Sequence, residues 1–240
     1  MPVTTNPIEL GADSLSVFFP CYNEEDNIRR VYESAAKVLA NLGVDYELIL
    51  VDDGSTDQTP QIADAIAAAD PRVRVVHHSA NLGYGAALQS GFRAAAKKLV
   101  FYTDGDGQFD MNELPPLLPL MKQYDIISCF RLHRQDHWTR KFNAWCWTRL
   151  VCFVFRMKIK DINCAYKLYK RVIFDNLEMR STGALINAEI LARAARHGYV
   201  ITQVGVHHFP RTCGQPTGAN PRVIFRAFRE LVKLYRQINR

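Results

Sequence analysis

The sequence predicts an α/β fold on a mostly parallel sheet, and three observations predict it. Apolar strand-like runs alternate with segments of helical periodicity from residue 15 onward. The runs are apolar at nearly every position, as strands covered on both faces are. The first, second and fourth runs each end in a polar or acidic turn. Ligands of such sheets bind beyond the carboxyl ends of the strands.

The elements follow in order. Residues 1–13 are polar, contain Pro and Gly, and read as a loose tail. Leu15-Ser16-Val17-Phe18-Phe19 reads as the first strand, closed by Pro20 and the turn Cys21-Tyr22-Asn23-Glu24-Glu25-Asp26-Asn27. Asp26 or Asn27 is placed to cap a helix that carries Ile28, Val31, Ala35, Val38 and Leu39 at helical spacing. Tyr46-Glu47-Leu48-Ile49-Leu50-Val51 is the second strand and runs into Asp52-Asp53-Gly54-Ser55-Thr56-Asp57. Asp57 or Thr59 caps the next helix, with Pro60 in its first turn. Val73-Arg74-Val75-Val76 is a third strand, and Asn81-Leu82-Gly83-Tyr84-Gly85 leads into a helix over 86–97. A dinucleotide-binding reading of Gly83 and Gly85 fails, because the third glycine position holds Leu88. A central strand spans 99–103, a helix is expected near 113–121, and a strand over 125–129.

Beyond Phe130 the character changes. The stretch 138–155 is helical in pattern and unusually aromatic, with Trp138, Phe142, Trp145, Trp147, Phe153 and Phe155 interleaved with Arg140, Lys141, Arg149 and Arg156. Such a pattern suits either a core helix with one wet face or a helix lying at a membrane surface. Residues 161–168 are a strand or loop, 184–197 a helix bearing Glu189, 199–207 a strand, and 211–218 a flexible loop. Residues 223–238 form a basic amphipathic helix with Ile224, Phe228, Leu231 and Tyr235 on one side.

Composition bounds the function. The chain has 240 residues, 48% of them apolar, and carries a net charge of +6. The charge is segregated. Residues 1–110 hold 16 acids against 8 bases, residues 131–171 hold 11 bases against 2 acids, and residues 211–240 hold 7 bases against 1 acid. An acidic half joined to basic segments implies two tasks, and the basic part suits nucleic acid, anionic lipid or a phosphorylated substrate. The six cysteines are scattered with no CxxC pair, which fits reduced thiols in a cytosolic protein. The N-terminus lacks the basic start and apolar run of a signal peptide. No apolar run approaches the ~20 residues needed to span a bilayer.

The chemistry concentrates in Asp104-Gly105-Asp106-Gly107-Gln108, directly after the central strand. If the chain stays extended, period-two alternation puts Asp104, Asp106 and Gln108 on one side. Hard oxygen ligands of this kind suit Mg2+ or Mn2+ shared with substrate phosphates. An EF-hand is excluded, because the sixth and twelfth positions counted from Asp104 are Phe109 and Pro115. His207 and His208 read as strand-end or loop residues, with no third ligand at suitable spacing.

Together, Pro20-Cys21-Tyr22-Asn23-Glu24, Asp52-Asp53-Gly54-Ser55-x-Asp57, Asn81-Leu82-Gly83, Asp104-Gly105-Asp106-Gly107-Gln108, Arg131, the 161–167 segment and Arg211 with Gly214 resemble family-2 glycosyltransferases of the GT-A fold. They look most like the branch that makes polyprenyl-phosphate sugars, the dolichol-phosphate mannose synthase-like enzymes. The resemblance spans roughly residues 15–218. It implies a Rossmann-like, mostly parallel sheet with helices on both faces. It also implies a catalytic domain over 14–218, with 14–110 as nucleotide-sugar half and 111–218 as acceptor half, followed by a basic helix over 219–240. A nucleotide-sugar pocket from Pro20, Tyr22, Glu24, Val51, Asp53, Asp104 and Gly105 follows from it, with Mg2+ or Mn2+ at Asp104, Asp106 and Gln108. Asp106 is then the foremost direct ligand, and Arg131, Arg140 and Arg211 lie along the phosphate path. This chain lacks the lysine that related mannose synthases carry near Thr217. Many relatives add transmembrane helices, so membrane contact here is expected from the protein's own surface or from an anchoring partner protein.

The function expected on this resemblance is inverting transfer of a hexose from a nucleotide-diphosphate sugar, of the GDP-mannose or UDP-glucose type, to a polyprenyl or dolichyl phosphate. The expected location is the cytoplasmic face of a membrane, with no nucleic-acid partner. Two alternatives stand beside it. One is a transferase to a hydroxyl acceptor with Glu189 as base, although Glu189 also reads as a solvated helix residue. The other is a non-catalytic module on membrane or nucleic acid.

Overall fold

A computed structural model describes residues 14–132, 138–211 and 221–238 and, within these, all side chains but those of residues 139, 140 and 221–229. Four strands, β1 (Ser14–Cys21), β2 (Asp45–Asp52), β3 (Val73–His77) and β4 (Leu99–Thr103), alternate with three helices, α1 (Ile28–Ala40), α2 (Thr59–Ala69) and α3 (Tyr84–Ala94). β1 pairs in parallel with β2 along its whole length, from Ser14 opposite Asp45 to Cys21 opposite Asp52. β4 joins the other side of β1 and β3 the far side of β2, again in parallel. The later chain supplies β5 (Ile126–Ser128), β6 (Phe130–Leu132), α4 (Trp138–Phe155), β7 (Tyr166–Lys170), α5 (Val172–Asn176), α6 (Ile186–Arg196), β8 (Ile201–Thr202), β9 (Gly205–His207) and α7 (Pro221–Ile238). The sheet order is β3-β2-β1-β4-β7-β5-β8, and β6 and β9 form a separate parallel pair. β7 runs antiparallel to both β4 and β5.

The sheet is covered on both faces, which is why its strands lack polar alternation. Leu15, Val17 and Phe19 of β1 pack under α1 and α2, while Phe18 faces the other side with Val51, Val100 and Tyr102 under α3 and α6. The five apolar positions expected to anchor α1 are its buried residues. Asn27 precedes α1 but gives its N-terminus no side-chain hydrogen bond: its Oδ1 accepts from Arg30 Nη2 at 3.1 Å and its Nδ2 donates to Glu24 at 2.7 Å. Asp57 accepts the Thr59 amide at 2.9 Å at the start of α2, with Pro60 in the first turn.

Four expectations are corrected or narrowed. The helix expected over 113–121 is two short 3-10 segments, Met111–Glu113 and Pro115–Lys122. Pro115, Pro116 and Pro119 lack the N–H groups that an α-helical ladder needs. The strand expected over 199–207 splits in two, β8 in the main sheet and β9 paired with β6. Only the end of the 161–168 segment is strand, where β7 begins. The helix expected over 86–97 runs Tyr84–Ala94, because Ala95 is extended.

α7 docks Leu231, Leu234 and Ile238 into the same core as α6 and carries Lys233 and Arg236 outward. α4 is different. Val151 is fully buried and Trp147, Leu150, Val154 and Phe155 pack on that core. The opposite stripe is aromatic too, with Trp138, Phe142, Trp145 and Phe153 exposed by 69%, 57%, 56% and 84%. Its outer face thus carries exposed rings beside Lys141 and Arg149, which are also exposed. Among the described residues no helix is long and apolar enough to cross a membrane, and the five described cysteines are free thiols.

Candidate functional site

The strand order reverses direction between β1 and β4, and the crevice at such a switch point is where open α/β sheets bind ligands. The turns after β1, β2 and β4 meet there. The Asp53 amide donates to the Cys21 carbonyl at 2.9 Å, and the Gly105 amide to the Pro20 carbonyl at 3.4 Å. Asn23 clasps the second turn, its Oδ1 accepting the Thr56 amide at 2.8 Å and its own amide donating to the Ser55 hydroxyl at 3.0 Å.

Asp104 and Asp106 do not continue an extended strand. The chain turns through Gly105 and Gly107, with Gly107 at φ +72°, where a side chain is strained. Asp106 Oδ1 closes this turn by accepting the Gln108 amide at 3.1 Å. The alternation expected to align Gln108 with the two acids is therefore absent. Gln108 instead clamps a distant segment, its Nε2 donating to the Phe209 carbonyl at 2.9 Å while its carbonyl accepts the Phe209 amide at 2.9 Å. Together with the β6–β9 pair, this clamp delivers Arg211 to the site, where its guanidinium donates to Glu24 Oε1.

The electrostatics are those of acids short of positive charge. Burial, and then the charge of Asp106, push the Asp104 carboxyl up to about 7, although the Tyr84 hydroxyl donates to its Oδ1 at 3.0 Å and Arg131 offsets part of the shift. Burial also raises Asp106, against the pull of the Gln108 amide, Arg211 and Arg30. Glu24 is raised by burial as well. Two hard-oxygen carboxylates that destabilise each other's charge fit a divalent cation. Among the described residues no group of three or more His, Cys, Asp or Glu is arranged to hold a metal alone.

Pro20 is buried at the end of β1, while Tyr22 is exposed beside it. Val51 is fully buried among Phe18, Val100 and Tyr102 and presents no surface to the crevice. Asp53 is buried with its carboxylate already engaged by the Leu82 amide at 2.9 Å, the Gly83 amide at 2.9 Å and His78 Nδ1 at 2.7 Å. It organises the 81–83 loop. Arg131 is held by Asp161 through two bonds of 2.7 and 3.0 Å. Arg140 lies on α4 with its side chain outside the described residues, as are Cys213, Gly214 and Thr217 altogether.

Glu189 is not solvated. It is fully buried, Oε2 accepting the amides of Arg180 at 3.1 Å and Ser181 at 2.7 Å while Oε1 accepts Arg193 Nε at 2.9 Å. His207 pairs with Glu113 through its ring and its amide. Sequence reasoning missed Tyr84, Arg30 and Asp161. Tyr84 sits in the 81–85 stretch, but nothing in its spacing points to Asp104. Arg30 reads as a solvated helix residue until Gly107 is seen against its guanidinium.

Comparison with known proteins bears on the family and the fold. The family model for glycosyl transferase family 2 matches residues 16–184. Solved complexes of glucosyl-3-phosphoglycerate synthase from Mycobacterium tuberculosis share the fold. The complex with UDP superposes at a TM-score of 0.72 with 21% identity, covering 94% of this chain and 80% of that one. The complex with Mn2+, UDP-glucose and phosphoglyceric acid gives 0.68 and 22%, covering 95% and 77%. The complex with Mg2+ and UDP gives 0.66 and 22%, with the same coverage. The sheet, its two helical layers and the matched motifs together place this chain in glycosyl transferase family 2, as a glycosyltransferase of the GT-A fold.

Proposed function

We propose that the protein is an inverting, metal-dependent hexosyltransferase that takes a nucleotide-diphosphate sugar as donor and a polyprenyl or dolichyl phosphate as acceptor, working at the cytoplasmic face of a membrane. Residues 14–110 form the donor half and 111–218 the acceptor half. The observation that carries the donor reading is the turn holding Asp104 and Asp106 at the sheet's switch point, with Arg211, Arg131 and Arg30 around it. The UDP, UDP-glucose, Mn2+ and Mg2+ in the mycobacterial complexes support it.

In this reading Asp104 and Asp106 hold Mn2+ or Mg2+, which supplies Lewis-acid stabilisation of the donor's diphosphate. The bond from sugar C1 to the diphosphate oxygen breaks as an acceptor phosphate oxygen bonds to C1 from the opposite face. The nucleotide diphosphate leaves with the electron pair. A phosphomonoester is already ionised near neutral pH, its second pKa being about 6, so no base is required. It does require cations that let two phosphate groups approach, and Arg131 and Arg211 suit phosphate oxygens geometrically. Arg211 then exchanges Glu24 for phosphate. Two observations support a lipid phosphate over a hydroxyl acceptor. Glu189, the base a hydroxyl would need, is buried and fully engaged. The outward stripe Trp138, Phe142, Trp145 and Phe153, flanked by Lys141, Arg149 and Arg156, suits an anionic membrane surface. An anchoring partner protein would add to that contact.

A second reading keeps the donor and takes a small phosphorylated hydroxy acid as acceptor, supported by the phosphoglyceric acid in the mycobacterial complex. One experiment separates the two. The protein is incubated with Mn2+, radiolabelled nucleotide sugars and either a short polyprenyl phosphate or phosphoglyceric acid. Label entering the organic phase supports the lipid acceptor. Label reaching only phosphoglyceric acid supports the second reading, and no transfer from any donor refutes both.

A further inference from the structure

The Glu189 carboxylate lies under a chain of contacts that ends at the donor site. Its Oε2 takes the amides of Arg180 and Ser181, pinning the turn before α6. That turn lies against the start of α3. The Gly85 amide donates to the Thr182 carbonyl at 3.0 Å, and Gln89 Nε2 to the Ser181 carbonyl at 2.9 Å. The contact leaves no room for side chains. A Cβ on Gly83 would fall 2.8 Å from the Thr182 oxygen, and one on Gly85 2.6 Å from the Ser181 oxygen and 2.7 Å from the Gly183 oxygen. Between these glycines stands Tyr84, whose hydroxyl donates to Asp104, and Gly83 is the residue whose amide Asp53 accepts. A second thread leaves α6 two residues earlier, where Asn187 Oδ1 accepts the Tyr102 hydroxyl.

We infer that Glu189 is a positioning residue for the nucleotide-sugar site: it fixes the 180–183 turn, which seats Gly83 and Gly85 and so aims Tyr84 and Asp104 at the donor's diphosphate. This rests on the donor reading proposed above and deepens it. It assigns Glu189 no proton transfer and no contact with substrate. Packed contacts of this kind transmit a shift because neither glycine position can absorb one.

The two roles open to Glu189 predict opposite results. Both turn amides bond the same oxygen, so the amide oxygen of Glu189→Gln can keep them, while its Nε2 stands where Arg193 had a carboxylate acceptor. A positioning role therefore predicts that Glu189→Gln keeps turnover within about tenfold of wild type, whereas loss of a general base costs about 10²–10⁴. Glu189→Ala releases the turn. It is expected to weaken binding of UDP or GDP with Mn2+, whichever wild type binds, at least tenfold by calorimetry, with the acceptor KM unchanged. A purely structural role would lower the melting temperature without that split. Gly85→Ala pushes on the same turn from the other side and is expected to reproduce the loss, which keeps the test decisive if Glu189→Ala fails to fold. A collapse of turnover in Glu189→Gln with donor binding intact overturns the inference. So does wild-type nucleotide affinity in Glu189→Ala or, if that variant is unfolded, in Gly85→Ala. If wild type binds neither UDP nor GDP with Mn2+, the donor reading itself falls and this inference with it.

Discussion

Asp104 is the residue on which the site's energetics turn. Its carboxyl is raised to about 7, above the ~3.9 of an unfolded chain. The folded state therefore holds this proton more tightly, and the stability so gained is present at low pH and lost as pH rises through about 7. At pH 8 the metal-free protein carries the ionised group at a cost. Asp104→Asn should then melt higher than wild type in chelator at pH 8, with the gap narrowing at pH 5 and closing only near pH 4, because the Asn oxygen still accepts the Tyr84 hydroxyl. The same variant should lose the stabilisation that Mn2+ gives wild type. A lower melting temperature for Asp104→Asn at pH 8 would show that its charge is already compensated. Much of the site was legible at this scale. Asp104, Asp106 and Arg211 stand in one neighbourhood at the strand ends. What the motifs did not carry is the side-chain partner of each residue. Asp53 is engaged by backbone amides and Glu189 is enclosed, and both facts depend on loops distant in sequence.

Between elements, a buried polar joint locks the sheet. Glu47 on β2 accepts the Ser16 hydroxyl of β1 at 2.6 Å, the Ala96 amide after α3 at 2.7 Å and Arg74 of β3 at 2.7 Å. Its carboxyl stays below the usual range because these bonds outweigh the opposing effect of burial. Glu47→Ala strands several donors and should cost about 2–4 kcal/mol of unfolding free energy by denaturant titration. A loss within experimental error would mean that water replaces the joint. The parallel core was readable because fully covered strands write continuous apolar runs. The 3-10 segments were not, since the apolar spacing of Leu117, Leu118 and Met121 mimics a helix while Pro115, Pro116 and Pro119 forbid its hydrogen bonds. The break between β8 and β9 is likewise set by which partner strand each half finds.

At the scale of the molecule, the proposed function assigns the donor to the acidic strand-end turns and the membrane to the exposed aromatic and basic face of α4. α4 is apolar on opposite sides, one side in the core and the other bare. Burying two such rings in a membrane interface is worth about 2 kcal/mol each. Replacing Trp145 and Phe153 together by Glu should therefore weaken binding to anionic vesicles by at least about 100-fold. The same variant should leave UDP or GDP affinity unchanged. Undiminished vesicle binding would assign membrane contact to another surface.

The central claim is that the turn between β4 and the first 3-10 segment grips a donor diphosphate through a metal ion. Crystals grown with Mn2+ and a nucleotide diphosphate test it most directly through the anomalous signal of manganese. The account predicts one manganese peak between the Asp104 and Asp106 carboxylates and the diphosphate, with Arg211 released from Glu24. A diphosphate bound away from this turn, or manganese seated elsewhere, would contradict it.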